Sequence, residues 1–130
     1  MIAIIVLGAR MLRLMVSALL LVAPVSAAAN DFETVSDEGT FLSLIEDRVL
    51  RIGLYNLSLN VLPDGRIEGS ALGWSITGSW AWKDGYFCRQ MDWSGMEIDY
   101  NCQLVEAQGA EKLRFTVDQG AGDSAVFRLR

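Results

Sequence analysis

Apolar residues recur with two different periods along this chain, and the switch between them marks the elements. Phe41, Leu44, Ile45 and Val49 follow one another at three- and four-residue spacing. That is the stripe of an amphipathic helix, and Ser36 or Asp37 stands where its cap belongs. The spacing predicts one short helix from about Asp37 to Asp47, preceded by a polar, mobile lead-in over residues 28–36.

From Tyr55 onward the period is two. Tyr55, Leu57, Leu59 and Val61 alternate with Asn56, Ser58 and Asn60, the pattern of a half-buried strand. Pro63-Asp64-Gly65 carries turn chemistry. The returning strand, Arg66 to Leu72, puts Ile67, Gly69 and Ala71 on its inner face. Trp74, Ile76, Gly78, Trp80 and Trp82 then share one face of the clearest strand. Lys83-Asp84-Gly85 turns the chain into Tyr86–Met91. Ile98, Tyr100, Cys102 and Leu104 are expected on one face of the next strand, and Leu113, Phe115 and Val117 on another. After Gly120-Ala121-Gly122-Asp123, Ala125, Phe127 and Leu129 close the series. Seven or eight short strands with hairpin-like links read as a mainly β fold. The expectation is an antiparallel meander closing into a small lipocalin-like barrel, or else a sandwich, with one short N-terminal helix.

The N-terminus reads as an address. In Met11 to Ala29, Arg13 supplies a positive start and Leu14 to Val22 an apolar run ending near Pro24. Val25-Ser26-Ala27 and Ala27-Ala28-Ala29 fit small-x-small cleavage sites. Residues 1–29 are therefore expected to be a signal peptide and residues 30–130 a single β domain. Residues 1–10 put a second apolar run ahead of Arg10 and Arg13, which suggests that translation starts at Met11. The competing reading, one membrane span over Ile2 to Ala29, would bury both arginines at about 2.5–3.5 kcal/mol each. The expected destination is the periplasm or the outside of the cell, with no membrane span in the mature protein.

Charge and composition narrow the function. The chain has 130 residues and a formal charge of −5. Without Arg10 and Arg13, nine of the eleven basic residues face sixteen acids, so the domain repels phosphate backbones and nucleic acid is not an expected partner. There is no histidine, which removes Ser-His-Asp, Cys-His and HExxH chemistry. No metal site is expected. Asp64, Asp118 and Asp123 lie at turns without EF-hand spacing. Cys88 and Cys102 are the only cysteines. In an oxidising compartment such a pair reads as a disulfide, here closing a wide hairpin loop over Arg89–Asn101.

Gly73-Trp74, Gly78-Ser79-Trp80-Ala81-Trp82, Asp84-Gly85-Tyr86-Phe87-Cys88-Arg89 and Asn101-Cys102-Gln103 resemble a group of small exported bacterial proteins. The likeness runs from the helix to the C-terminus, roughly 90 residues. Members often bear the name dihydrodipicolinate reductase. The resemblance implies export, one β domain and the cysteine pair, and no established activity. The reductase activity itself does not fit this chain. That chemistry needs a Gly-rich turn between a strand and a helix, and the only GxG, Gly120-Ala121-Gly122, has no helix-sized segment behind it. No cofactor is expected.

The tryptophans are the most distinctive side chains. Core packing accounts for Trp74, Trp80 and Trp82 in so small a domain. Contact with a ligand is the sharper alternative, with Trp80, Trp82, Tyr86, Arg89, Trp93 and Tyr100 as its candidates. Arg89 is expected at the surface, paired with Asp92, Glu97 or Asp99, where an ion pair contributes little; anion binding is its sharper role. The function expected is non-enzymatic binding of a small apolar or aromatic molecule in the mouth of a barrel, by a monomer. The alternative is an inhibitor or accessory domain that contacts another envelope protein. An interior cavity would favour the first, and a filled core beneath an exposed aromatic patch the second.

Overall fold

The computed structural model describes residues 20–23 and 31–130. Almost all of the expected signal peptide, with both cleavage sites, lies outside them. Among the described residues, no helix is long and apolar enough to cross a membrane.

A two-residue strand β1 (Glu33–Thr34) leads into helix α1 (Glu38–Ile45). Eight strands follow: β2 (Leu50–Ile52), β3 (Leu57–Val61), β4 (Arg66–Ala71), β5 (Trp74–Lys83), β6 (Tyr86–Trp93), β7 (Met96–Gln108), β8 (Lys112–Thr116) and β9 (Ser124–Leu129). Each pairs antiparallel with its successor except that β9 returns to β2, with β7 paired to β8, so β2 to β9 close into an eight-stranded barrel. The expected meander is thus a barrel and not a sandwich. Closure satisfies the backbone groups that a sandwich would leave along its edges.

Tight turns make the meander possible. Leu72-Gly73, Asp84-Gly85 and Ser94-Gly95 each join two strands with two residues at positive φ. This twist matches that of the flanking strands, and glycine in second place costs nothing sterically. Ser94-Gly95 replaces the wide loop expected over Arg89–Asn101, because β6 runs on to Trp93 and β7 starts at Met96.

Helix α1 is shorter than its stripe suggested. Asp37 caps it: Oδ2 accepts from the Thr40 amide at 2.9 Å and Oδ1 from the Thr40 hydroxyl at 2.8 Å. The helix stops at Ile45, and Asp47 turns the chain at φ 53°. Val49 is not on the helix; its amide and carbonyl exchange hydrogen bonds with Arg130. Residues 28–30 of the expected mobile lead-in lie outside the described residues, and the part from Asp31 is ordered. β1 pairs with Glu106 and Ala107, Val35 is buried, and the Phe32 ring lies 4.2 Å from the Arg114 guanidinium. Arg114 in turn holds Glu106 through two bonds across β7 and β8.

Burial or strand phase departs from expectation at three places. Tyr55 belongs to a 3-10 turn (Gly53–Tyr55) and is exposed, since Asn56 at φ 45° separates it from β3. Trp74, at the start of β5, is also exposed. On β7, Arg89 faces Asn101 but Met91 faces Ile98, so β7 carries one extra residue there. That bulge throws Ile98 and Cys102 onto opposite faces. Cys102 therefore lies outside the barrel, directly opposite Cys88, and the two are disulfide-bonded.

The helix closes one end of the barrel. Phe41 is wholly buried, with ring centroids 5.5 Å from Trp80, 5.1 Å from Trp82, 5.3 Å from Phe87 and 6.4 Å from Phe115. Arg48 ties the helix exit to the β7–β8 turn by donating to the Ala110 carbonyl at 2.6 Å. Burial of these aromatic rings is the largest apolar contribution to this end.

Candidate functional site

Beyond the aromatic plug, the barrel is not filled. A cavity of about 300 Å³ occupies the interior. Its walls are the inward faces of β2, β3, β4, β6, β7, β8 and β9, with Leu50, Leu59, Val61, Ile67, Phe115 and Phe127 among the apolar groups. It reaches the surface beside the β8–β9 connection, where Asp123, Ser124 and Ala125 are exposed. The volume lies at the low end of the range of small-molecule pockets.

Two polar side chains stand deep in this wall. Arg89 is 8% exposed and Gln103 is 9% exposed. Both follow from strand phase. Phe87 and Gln103 are register partners, as are Arg89 and Asn101. Alternation then puts Phe87, Arg89 and Gln103 on the inner face as diagonal neighbours. Arg89 is therefore not the surface residue expected. Its Nη1 donates to the Asp99 carbonyl at 2.6 Å, a carbonyl at the β7 bulge, and not to a carboxylate. Among the described residues Arg89 forms no ion pair, and the side chain of Gln103 forms no hydrogen bond. Burial pulls the Arg89 guanidinium below its ordinary pKa by penalising the charged form.

Of the six residues expected to touch a ligand, Arg89 alone lines the cavity. Trp80 is buried beside the plug and donates its indole N–H to the Leu62 carbonyl at 2.8 Å. Trp82 stacks on Phe41 beneath the helix, and its indole N–H is buried without a partner. Tyr86 begins β6 beside the turn at the helix end. Trp93 sits at the other end and donates to the Ala71 carbonyl at 3.2 Å. Tyr100 is on the outside, next to the Cys102 sulfur, with the Lys83 ammonium 5.7 Å from its ring centroid. Of the tryptophan row, Trp80 and Trp82 pack beneath the helix, whereas Trp74 is exposed. Gln103 and Met91 are cavity residues that pattern reading did not single out. Gln103 lies in phase with Val105, but that phase is visible only once the bulge is known.

The loops at the end away from the helix carry exposed apolar side chains: Leu54, Tyr55, Leu72, Trp74 and Met96. The turn carboxylates do local work. Asp64 accepts from the Arg66 amide and guanidinium, which holds its carboxyl below the usual range. Asp118 accepts from the Asn101 amide group. Among the described residues no group of three acidic or cysteine side chains is arranged to hold a metal ion.

No protein-family model, no curated protein and no solved structure matches this chain.

Proposed function

We propose that this protein is an exported, non-enzymatic binding protein of the bacterial envelope, which holds one small apolar or aromatic molecule inside its barrel. The observation that carries this reading is the interior cavity, apolar over most of its wall and reaching the surface at one place. A domain of this size gains stability from a filled core, so unfilled volume at its centre forgoes packing that sequence change could have supplied. A ligand explains why it is kept. The leader-like residues 1–29, the disulfide and the resemblance to exported proteins support export to an oxidising compartment.

Native mass spectrometry of the protein purified from the periplasm of a producing cell tests this. The expected result is an adduct that leaves on unfolding and is absent from Ala125→Trp, which fills the cavity mouth. A bare protein mass in both would count against the reading.

The exposed apolar rim of Leu54, Leu72, Trp74 and Met96 supports a second reading, contact with another envelope protein at that end. On that reading Leu54→Ser with Trp74→Ser loses the partner while cavity ligands bind as before.

A further inference from the structure

We infer that the ligand is a monocarboxylic acid with an apolar or aryl body, its carboxylate held inside the barrel by Arg89 and Gln103. The inference rests on the binding function proposed above and names the chemistry of that same site.

Arg89 carries a fixed positive charge on a mostly apolar wall. A guanidinium has five donors and stays protonated even where burial opposes it. One donor is used by the Asp99 carbonyl, which carries no net charge. No carboxylate of the described residues lies within ion-pair distance. A buried charge without a counter-charge is costly even after relaxation. The arrangement is relieved by an anion that enters from outside. A carboxylate suits it best, because its two oxygens match the fork of the guanidinium. The Gln103 amide, a diagonal neighbour on β7 with no hydrogen bond of its own, supplies a further neutral donor.

The remaining wall dictates the rest of the molecule. Leu59, Ile67, Met91, Phe115 and Phe127 offer no polar partner to a second headgroup. A volume of about 300 Å³ admits one short chain or one ring system and excludes a diacyl lipid. Asp123 is the other charged side chain on the lining, but it is exposed at the mouth. Its charge is screened by water and salt, whereas that of Arg89 is screened far less. A cationic ligand would meet Arg89 at full strength and gain little from Asp123.

The test uses three probes with one body: 4-phenylbutyrate, 4-phenylbutanol and 4-phenylbutylamine, titrated calorimetrically into the disulfide-bonded protein. A charged hydrogen bond at about 1.5–3 kcal/mol corresponds to roughly ten- to hundredfold in affinity. The acid should therefore bind at least about tenfold tighter than the alcohol, and the amine should not bind. Arg89→Met should abolish that preference, so that acid and alcohol bind alike. Arg89→Lys, which keeps the charge and a donor for the Asp99 carbonyl, should keep part of it. Because Arg89→Met also removes the bond to the bulge, the Arg89 side-chain NMR signal of the unaltered protein is followed as well; it should shift with the acid and not with the alcohol. Equal binding of acid and alcohol would overturn the carboxylate assignment and leave cavity binding standing. If none of the three binds, both fall.

Discussion

The ring of Phe41 stacks on the indole of Trp82 at 5.1 Å, with 28° between their planes. That contact joins the only α-helix among the described residues to the barrel wall. Phe41 has no exposed surface, and Trp80, Phe87 and Phe115 complete its surroundings. Removing its ring would leave a void that four aromatic neighbours cannot collapse to fill. Phe41→Ala is expected to cost about 3–5 kcal/mol in urea unfolding. It should also free the helix, seen as faster amide exchange at Leu42 to Ile45 than in β6. Unchanged exchange there would mean that the helix is held by other contacts.

The disulfide joins residues already opposite one another on β6 and β7. It therefore adds a restraint to a register that the ladder also specifies. Its main effect is on the unfolded chain, where it closes a loop with a sequence separation of 14. Cys88→Ala with Cys102→Ser is expected to lower stability by roughly 2–4 kcal/mol. The barrel should persist at room temperature, with the same β circular-dichroism spectrum and a lower melting temperature. Loss of that spectrum would show that the bond is required for the fold itself.

Gly78 permits a close approach between β5 and β6. A Cβ there would meet the Met91 side chain at 2.8 Å and the Gln90 carbonyl as well. Backbone cannot yield as a side-chain tip can. Gly78→Ala should destabilise by about 1–3 kcal/mol through overpacking. Met91 lines the cavity, so the same substitution should narrow it and weaken binding of any occupant. A variant as stable as the parent would show that the two strands can separate locally without cost.

The cap of the helix makes part of the stability pH-dependent. The Thr40 amide, then its hydroxyl, hold the Asp37 carboxyl below its ordinary pKa. The folded value is depressed, so this contribution is complete above the unfolded carboxylate range. It is lost as pH falls through that range to the lower folded value. Asp37→Asn keeps an acceptor but no charge. Its melting temperature should lie below that of the parent at pH 7, and the gap should narrow on acidification. A constant gap between pH 7 and pH 3 would exclude this role of the charge.

Alternation and turn chemistry made most of the barrel legible. Leu57, Leu59 and Val61, then Ile67 and Ala71, then Ile76 and Trp80 face inward where period two puts them. Asp64-Gly65 and Asp84-Gly85 turn the chain as their residue types require. The cysteine pair was readable because two such residues in one small domain have few other uses. Two of the departures share one physical origin. Asn56 in a left-handed conformation and the extra residue of β7 each shift the phase, and a shift of one position exchanges the faces of everything beyond it. Neither leaves a mark on hydrophobic spacing.

The β class, the capped helix, the turns at Pro63–Gly65 and Lys83–Gly85, the acidic balance and the absence of histidine chemistry were all written in the chain. These depend on local propensity and composition, which neighbouring residues set. That the sheet closes, that Arg89 lies inside it and that the five aromatic candidates lie elsewhere follows from long-range pairing. Closure depends on the pairing of β9 with β2, far apart in the chain. The place of Arg89 depends on which face of β6 that closure turns inward. A charged residue between Cys88 and Gln90 looks like surface until the barrel is drawn around it.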